Sequence, residues 1–155
     1  MVAHPLAPDS LGKGSAPNQS SDFPPIWSAI TKKRPGDDTR LYVKGHLLNN
    51  KLGGSGTDLA NITPLTYSAN GAHYARVEKD LQNLVTKTSK KMVHYEVHVN
   101  YPSSQNPVPP NVNPEEGMLA TSITASWQEL ETEKLTPKGG VQTETIQNVP
   151  PYPHA

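Results

Sequence analysis

The sequence predicts a small α+β domain in which an antiparallel sheet packs on one main helix, and three patterns point to it. Tyr74, Val77, Leu81 and Leu84 recur at helical spacing. Met92 to Tyr101 alternates strictly, with Val93, Tyr95, Val97, Val99 and Tyr101 on one face and His94, Glu96, His98 and Asn100 on the other. Leu119 to Trp127 alternates in the same way through Thr121, Ile123 and Ala125. With 16 Pro in 155 residues and 34% hydrophobic residues, the core is modest and part of the chain is loop.

Taken in order, residues 1–25 carry Pro, Ser and Gly with no sustained period, which predicts a flexible Pro/Ser-rich arm. Residues 26–150 are expected to form a single domain and residues 151–155 a tail. Ile26 to Ile30 is an apolar island suited to docking on the core, and Pro35-Gly36 marks a turn. Arg40 to Lys44 reads as a short strand that delivers His46 to a loop mouth. A glycine-rich loop, Gly53-Gly54-Ser55-Gly56, follows, then a helix from about Ser68 to Val85 that Thr66 or Ser68 caps. After the two alternating strands, Lys138-Gly139-Gly140 reads as a turn before a third strand, Val141 to Val149. Trp27 and Trp127 flank apolar segments and are read as packing residues rather than base-stacking platforms.

Lysine plus arginine equals aspartate plus glutamate at 14 each, so no overall field draws the molecule to polyanions or membranes. Nucleic-acid affinity has to come from local patches: Lys32, Lys33, Arg34, Arg40, Lys44 and Lys51, or Lys87, Lys90 and Lys91. The absence of cysteine excludes disulfides, thiolate metal sites and cysteine nucleophiles. The N-terminus lacks an apolar signal-peptide core and no run approaches a membrane span.

One constellation carries chemistry. Lys44-Gly45-His46 on a strand and loop, then Asn61, Asn70 and Glu78 on the following loop and helix, combine an imidazole with amide and carboxylate oxygens. Phosphodiester hydrolysis needs a base for water, a cation at the phosphate and a positive group on a flanking phosphate. Histidine titrates near neutrality, and a hard cation takes oxygen ligands while keeping several waters. A lone loop histidine is usually structural, and a Gly-Gly-Ser-Gly segment alone is usually a turn. His94, Glu96 and His98 share a strand face but read as a solvated surface, and His73 as a substrate contact or an exposed side chain.

Gly45-His46-Leu47-Leu48, Gly53-Gly54-Ser55-Gly56 and Asn61-Ile62-Thr63-Pro64-Leu65-Thr66 resemble the marks of the DNA/RNA non-specific endonuclease family, especially its toxin-associated branch. The likeness runs from about Tyr42 to Val85. It implies a ββα-metal-like core and a metal-dependent endonuclease of DNA, RNA or both. By resemblance, His46 would be the general base, Asn70 a direct ligand of Mg²⁺ (or Mn²⁺), Glu78 a holder of metal-bound water, and Asn61 a support of the loop. Lys44 would hold phosphate, with Lys51 and Arg40 as further nucleic-acid contacts. Many members have Asp-Arg where this chain has Val43-Lys44, and some have arginine where it has Gln82. The resemblance further implies a bacterial toxin or effector module, exported by a secretion or injection system and met by an immunity protein. The rival expectation is a catalytically inactive module of such an assembly, docking through its sheet or Pro-rich loops.

Overall fold

The computed structural model describes residues 1–17, 24–30, 41–86, 88–110 and 112–150. Arg40, the Lys32-Lys33-Arg34 patch, the Pro35-Gly36 turn, Lys87 and the 151–155 tail lie outside the described residues. The fold is α+β with two antiparallel sheets. Strands β1 (Val2–Leu6), β4 (Met92–Asn100), β5 (Ser122–Leu130) and β6 (Pro137–Gln147) form one sheet in the order β1-β4-β5-β6. Strands β2 (Tyr42–His46) and β3 (Ile62–Thr66) form a two-stranded sheet. The strand alternation places Val93, Tyr95 and Val97 inward, where they meet Ile123, Ala125 and Trp127 from β5.

A continuous helical segment follows β3: α2 (Tyr67–His73), a π turn (Tyr74–Glu78) and α3 (Lys79–Leu84). Thr66 caps it by accepting the Ala69 N–H at 3.1 Å. Ala69, Val77, Leu81 and Val85 pack in the main core together with Leu47, Leu52 and Leu65; of the helical period, Val77 and Leu81 are buried and Leu84 partly so, whereas Tyr74 is exposed at 41%. The Asn148 side chain pins the β3–α2 corner, accepting the Thr66 N–H at 2.8 Å and donating to the Pro64 and Ala120 carbonyls. A second apolar cluster joins Trp27 and Ile30 of α1 (Ile26–Ile30) to Tyr42, Ile62 and Leu119. Both tryptophans are buried, Trp27 there and Trp127 in the main core.

Two expectations are corrected and one further strand is added. The stretch read as a free arm begins with β1, whose edge pairs with β4 in the register Val2↔Glu96 and Ala3↔Tyr95. An edge strand tolerates Pro5, which cannot donate to a ladder, and the Met1 ammonium anchors the end on the Val97 carbonyl at 2.9 Å. Residues 62–66, to which the sequence pattern assigns no element, form β3: a two-stranded sheet consists only of edges, so Pro64, opposite Lys44, is tolerated. The Lys138-Gly139-Gly140 segment is no turn but the start of β6. Gly139 adopts φ +74° within a shift of register against β5, an irregularity in which residues 139–141 stand opposite Gln128 and two extra residues are absorbed. Gln128 steadies it by donating to the Gly139 carbonyl at 2.7 Å.

Candidate functional site

β2 ends on His46, in register with Ile62 at the start of β3, and β3 runs directly into α2, which packs on both strands. Lys44 lies two residues before His46 on the same side of the strand, since side chains alternate. Gly45 between them admits no side chain, because an added Cβ would strike the Leu65 side chain. The hairpin therefore presents an imidazole and an ammonium on one side, with His46 and Ile62 at the end of the ladder away from Thr66, where α2 begins.

The connection from β2 to β3 is held open by Asn61, which is 5% exposed. Its Oδ1 accepts the Leu48 N–H at 2.8 Å, and its Nδ2 donates to the Leu48 and Ser55 carbonyls, each at 3.0 Å. Asn61 thus supports the loop through buried main-chain groups. Glycine is required beneath it: Gly53 has φ +97°, and a Cβ on Gly54 would overlap the Leu48 carbonyl. Asn61→Ala leaves the Leu48 N–H and two carbonyls unpaired, and is expected to lower stability by about 2–4 kcal/mol in urea unfolding.

Glu78 sits at the end of the π turn, 4% exposed. Asn49, three residues beyond His46, donates to its Oε2 at 3.0 Å, so the loop that leaves His46 is tied to the helix. Glu78 Oε1 is buried without a hydrogen-bond partner, as is Gln82 Nε2 one turn on. Burial pushes the Glu78 carboxyl up to about 7, against the opposing pull of the Asn49 donors.

His73 corrects a reading: it is neither exposed nor a surface contact but 1% exposed. Tyr95 Oη donates to the Leu47 carbonyl at 3.0 Å, so its one proton is committed and His73 Nε2 must donate to that oxygen, at 3.0 Å. His73 Nδ1 then carries the lone pair and faces Glu78 Oε1 at 3.8 Å. Burial lowers the His73 pKa to about 4 and raises that of Tyr95, with the nearby Glu78 charge adding to the rise. At neutral pH the His73–Glu78 approach is accordingly not an ion pair.

Asn70 lies in α2, half-buried, and its carbonyl accepts the Tyr74 N–H. Eight residues of α-helix separate two side chains by about 80° beyond two full turns. The π turn takes more residues per turn, so it rotates Glu78 back toward the face of Asn70. Sequence spacing alone does not reveal this adjustment. Lys51 is exposed on the Asn50–Leu52 turn, its N–H bonded to Asn49 Oδ1 at 2.9 Å. Asn49 and Tyr95, which adjoin the candidate site through Glu78 and His73, are not singled out as site residues by the sequence; only the closeness of Asn49 to His46 in the chain hints at one of them.

The fit of a divalent cation can be tested on this donor set. Among the described residues no group of three His, Asp or Glu side chains is placed to hold a metal ion. An amide oxygen on Asn70 and a carboxylate oxygen on Glu78 with no partner are hard donors of the kind Mg²⁺ accepts, its other positions being filled by water and phosphate. By donor chemistry, oxygen on both side chains, the pair suits such an ion. On the opposite side of the molecule, His98 Nε2 meets Glu96 Oε1 at 2.8 Å and His4 Nδ1 meets His94 Nδ1 at 3.0 Å, a polar surface cluster across β1 and β4.

Residues 15–117, about two-thirds of the chain, match the family model described as DNA/RNA non-specific endonuclease. No curated protein and no solved structure matches the chain. The matched span holds β2, β3, the helical segment and β4, and leaves β1, β5 and β6 outside it.

Proposed function

The chain belongs to the DNA/RNA non-specific endonuclease family, and from that premise we propose that it is a metal-dependent phosphodiester hydrolase whose site lies between His46 and Glu78. The observation that carries this is the tie from the His46 loop to the helix through Asn49 and Glu78, with an unpartnered carboxylate oxygen at its end. His46 takes the proton of the attacking water as the water oxygen bonds to phosphorus and the P–O bond to the leaving oxygen breaks. Lys44 steadies a flanking phosphate as a point charge, without the two-pronged grip of an arginine. Gln82 keeps a buried N–H donor where some relatives carry arginine. Asn70, with Glu78 reaching through water, would hold Mg²⁺ or Mn²⁺, which when bound supplies positive charge for the phosphate and the departing oxygen. In this reading hairpin and helix form a ββα-metal core. Lys51 extends the nucleic-acid contact.

Purified protein is expected to degrade plasmid DNA, RNA or both in Mg²⁺ or Mn²⁺. Persistence of both substrates under every salt condition assigns the chain to the rival class, an inactive module of a larger assembly. Calorimetry gives a second check: Mg²⁺ binding by the wild type should weaken at least tenfold in Asn70→Ala, and equal binding by the two removes Asn70 from the metal site.

A toxic effector role, with an immunity protein and a secretion or injection machine as partners, rests on the resemblance to the toxin-associated branch. Its test is growth arrest on expression in bacteria, relieved by His46→Ala. Among the described residues no helix is long and apolar enough to cross a membrane.

A further inference from the structure

The geometry points to the N-terminal segment Ser10–Ala16 as a working part of the hydrolytic site: it forms a strap across the glycine loop, and the main-chain carbonyl of Ser15 is the group that sets the orientation and tautomer of His46. This rests on the reading of His46 as general base and names the residue that positions it.

The strap is seated by four hydrogen bonds, one at Gly12 and three at Ser15. The Gly12 N–H donates to the Lys51 carbonyl at 3.0 Å, and the Ser15 N–H to the Gly54 carbonyl at 3.1 Å. The Gly56 N–H returns a bond to Ser15 Oγ at 2.8 Å. His46 Nε2 lies 2.9 Å from the Ser15 carbonyl oxygen. Strap and loop meet at glycines on both sides. A Cβ on Gly14 would overlap the Asn50 and Gly54 carbonyls, and one on Gly56 would overlap the Ala16 carbonyl. Glycines that look like a flexible turn in the sequence are here the fitted floor of a groove that the strap fills.

The chemical consequence follows from what a carbonyl can do. It only accepts, so the proton of the neutral imidazole resides on Nε2, and Nδ1 keeps the lone pair. A general base needs that lone pair fixed in one direction, because proton transfer demands hydrogen-bond geometry to the attacking water. Without the Ser15 carbonyl both tautomers and both ring flips compete, and only a fraction of the rings is productive. Ser15 is therefore a positioning residue acting through its backbone, and the strap that carries it is held in turn by the pairing of β1 with β4.

The test uses the full chain with ¹⁵N-labelled histidine. In the wild type, at a pH where His46 is neutral, its ring nitrogens should give the shift pattern of a single Nε2–H tautomer, with a through-hydrogen-bond coupling to the Ser15 carbonyl carbon. Gly14→Ala, which forces the strap off Asn50 and Gly54 without touching His46, should produce averaged tautomer shifts and lose that coupling. In the nuclease assay it should lower kcat at least tenfold with little change in KM. A wild-type Nδ1–H tautomer overturns the proposal, and that measurement needs no variant to fold. Unchanged tautomer shifts in a folded Gly14→Ala also overturn it, as does a rise in kcat, which would make the strap a removable cover. Should the wild type show no nuclease activity, the tautomer pattern alone decides the positioning role, and the reading of His46 as a base fails separately.

Discussion

His46→Ala is expected to lower kcat for plasmid or RNA cleavage in Mg²⁺ by about 10²–10⁴, the range that a positioned general base contributes. KM should change little, because in the proposed reading the phosphate backbone is held by Lys44, Lys51 and the cation rather than by the imidazole. His46 ends β2 and contributes no side chain to either apolar cluster, so the variant should melt close to the wild type. Paired measurement of thermal unfolding and single-turnover cleavage separates lost chemistry from lost fold. Cleavage at the wild-type rate by a folded His46→Ala protein would remove His46 from the reaction.

The second large effect is on stability as a function of pH. Burial raises Glu78 from 4.5 to about 7, so the folded chain without metal binds more protons than the unfolded one between those values. The resulting stability is full below pH 4.5 and disappears as pH rises through about 7. His73 is lowered from 6.5 to about 4; its contribution is full above pH 6.5 and disappears as pH falls through about 4. Between about 4.5 and 6.5 the two slopes oppose each other and the wild-type curve should be nearly flat with respect to these groups. Glu78→Gln removes one slope. Relative to the wild type, the variant should gain on the order of 3 kcal/mol as pH is raised from below 4.5 to above 7. Urea unfolding of both proteins with chelator present, at about pH 4.5 and about pH 8, reads this difference. A parallel offset at the two pH values would mean that Glu78 is ionised and hydrated in the folded chain. Added Mg²⁺ should stabilise the wild type more at the higher pH, where the carboxylate is ready to pair with it.

Much of the fold is legible in the residues because it is local. The period of Tyr74, Val77, Leu81 and Leu84 and the alternation of Met92–Tyr101 follow from the geometry of helix and strand, and both elements form where those patterns lie. Packing of the two tryptophans is legible for the same reason, since a large apolar ring on an apolar segment has one favourable place. The spacing of His46, Asn61, Asn70 and Glu78 is also written in the chain, and with it the family resemblance.

What the tertiary structure decided are the groups whose role depends on a partner distant in sequence. β1 and β3 carry prolines that argue against strands, and they become strands because an edge position is available to each. His73 looks like a surface residue and is buried because Tyr95, 22 residues on, offers it a hydrogen bond. Glu78 draws its proton affinity from desolvation, a property of everything packed around it and of no neighbour in the sequence. The Ser15 carbonyl reaches His46 across 31 residues through a backbone atom that every amino acid possesses. Local periodicity is encoded in side-chain type and can be read one residue at a time, whereas burial and main-chain contacts exist only once the chain has closed on itself.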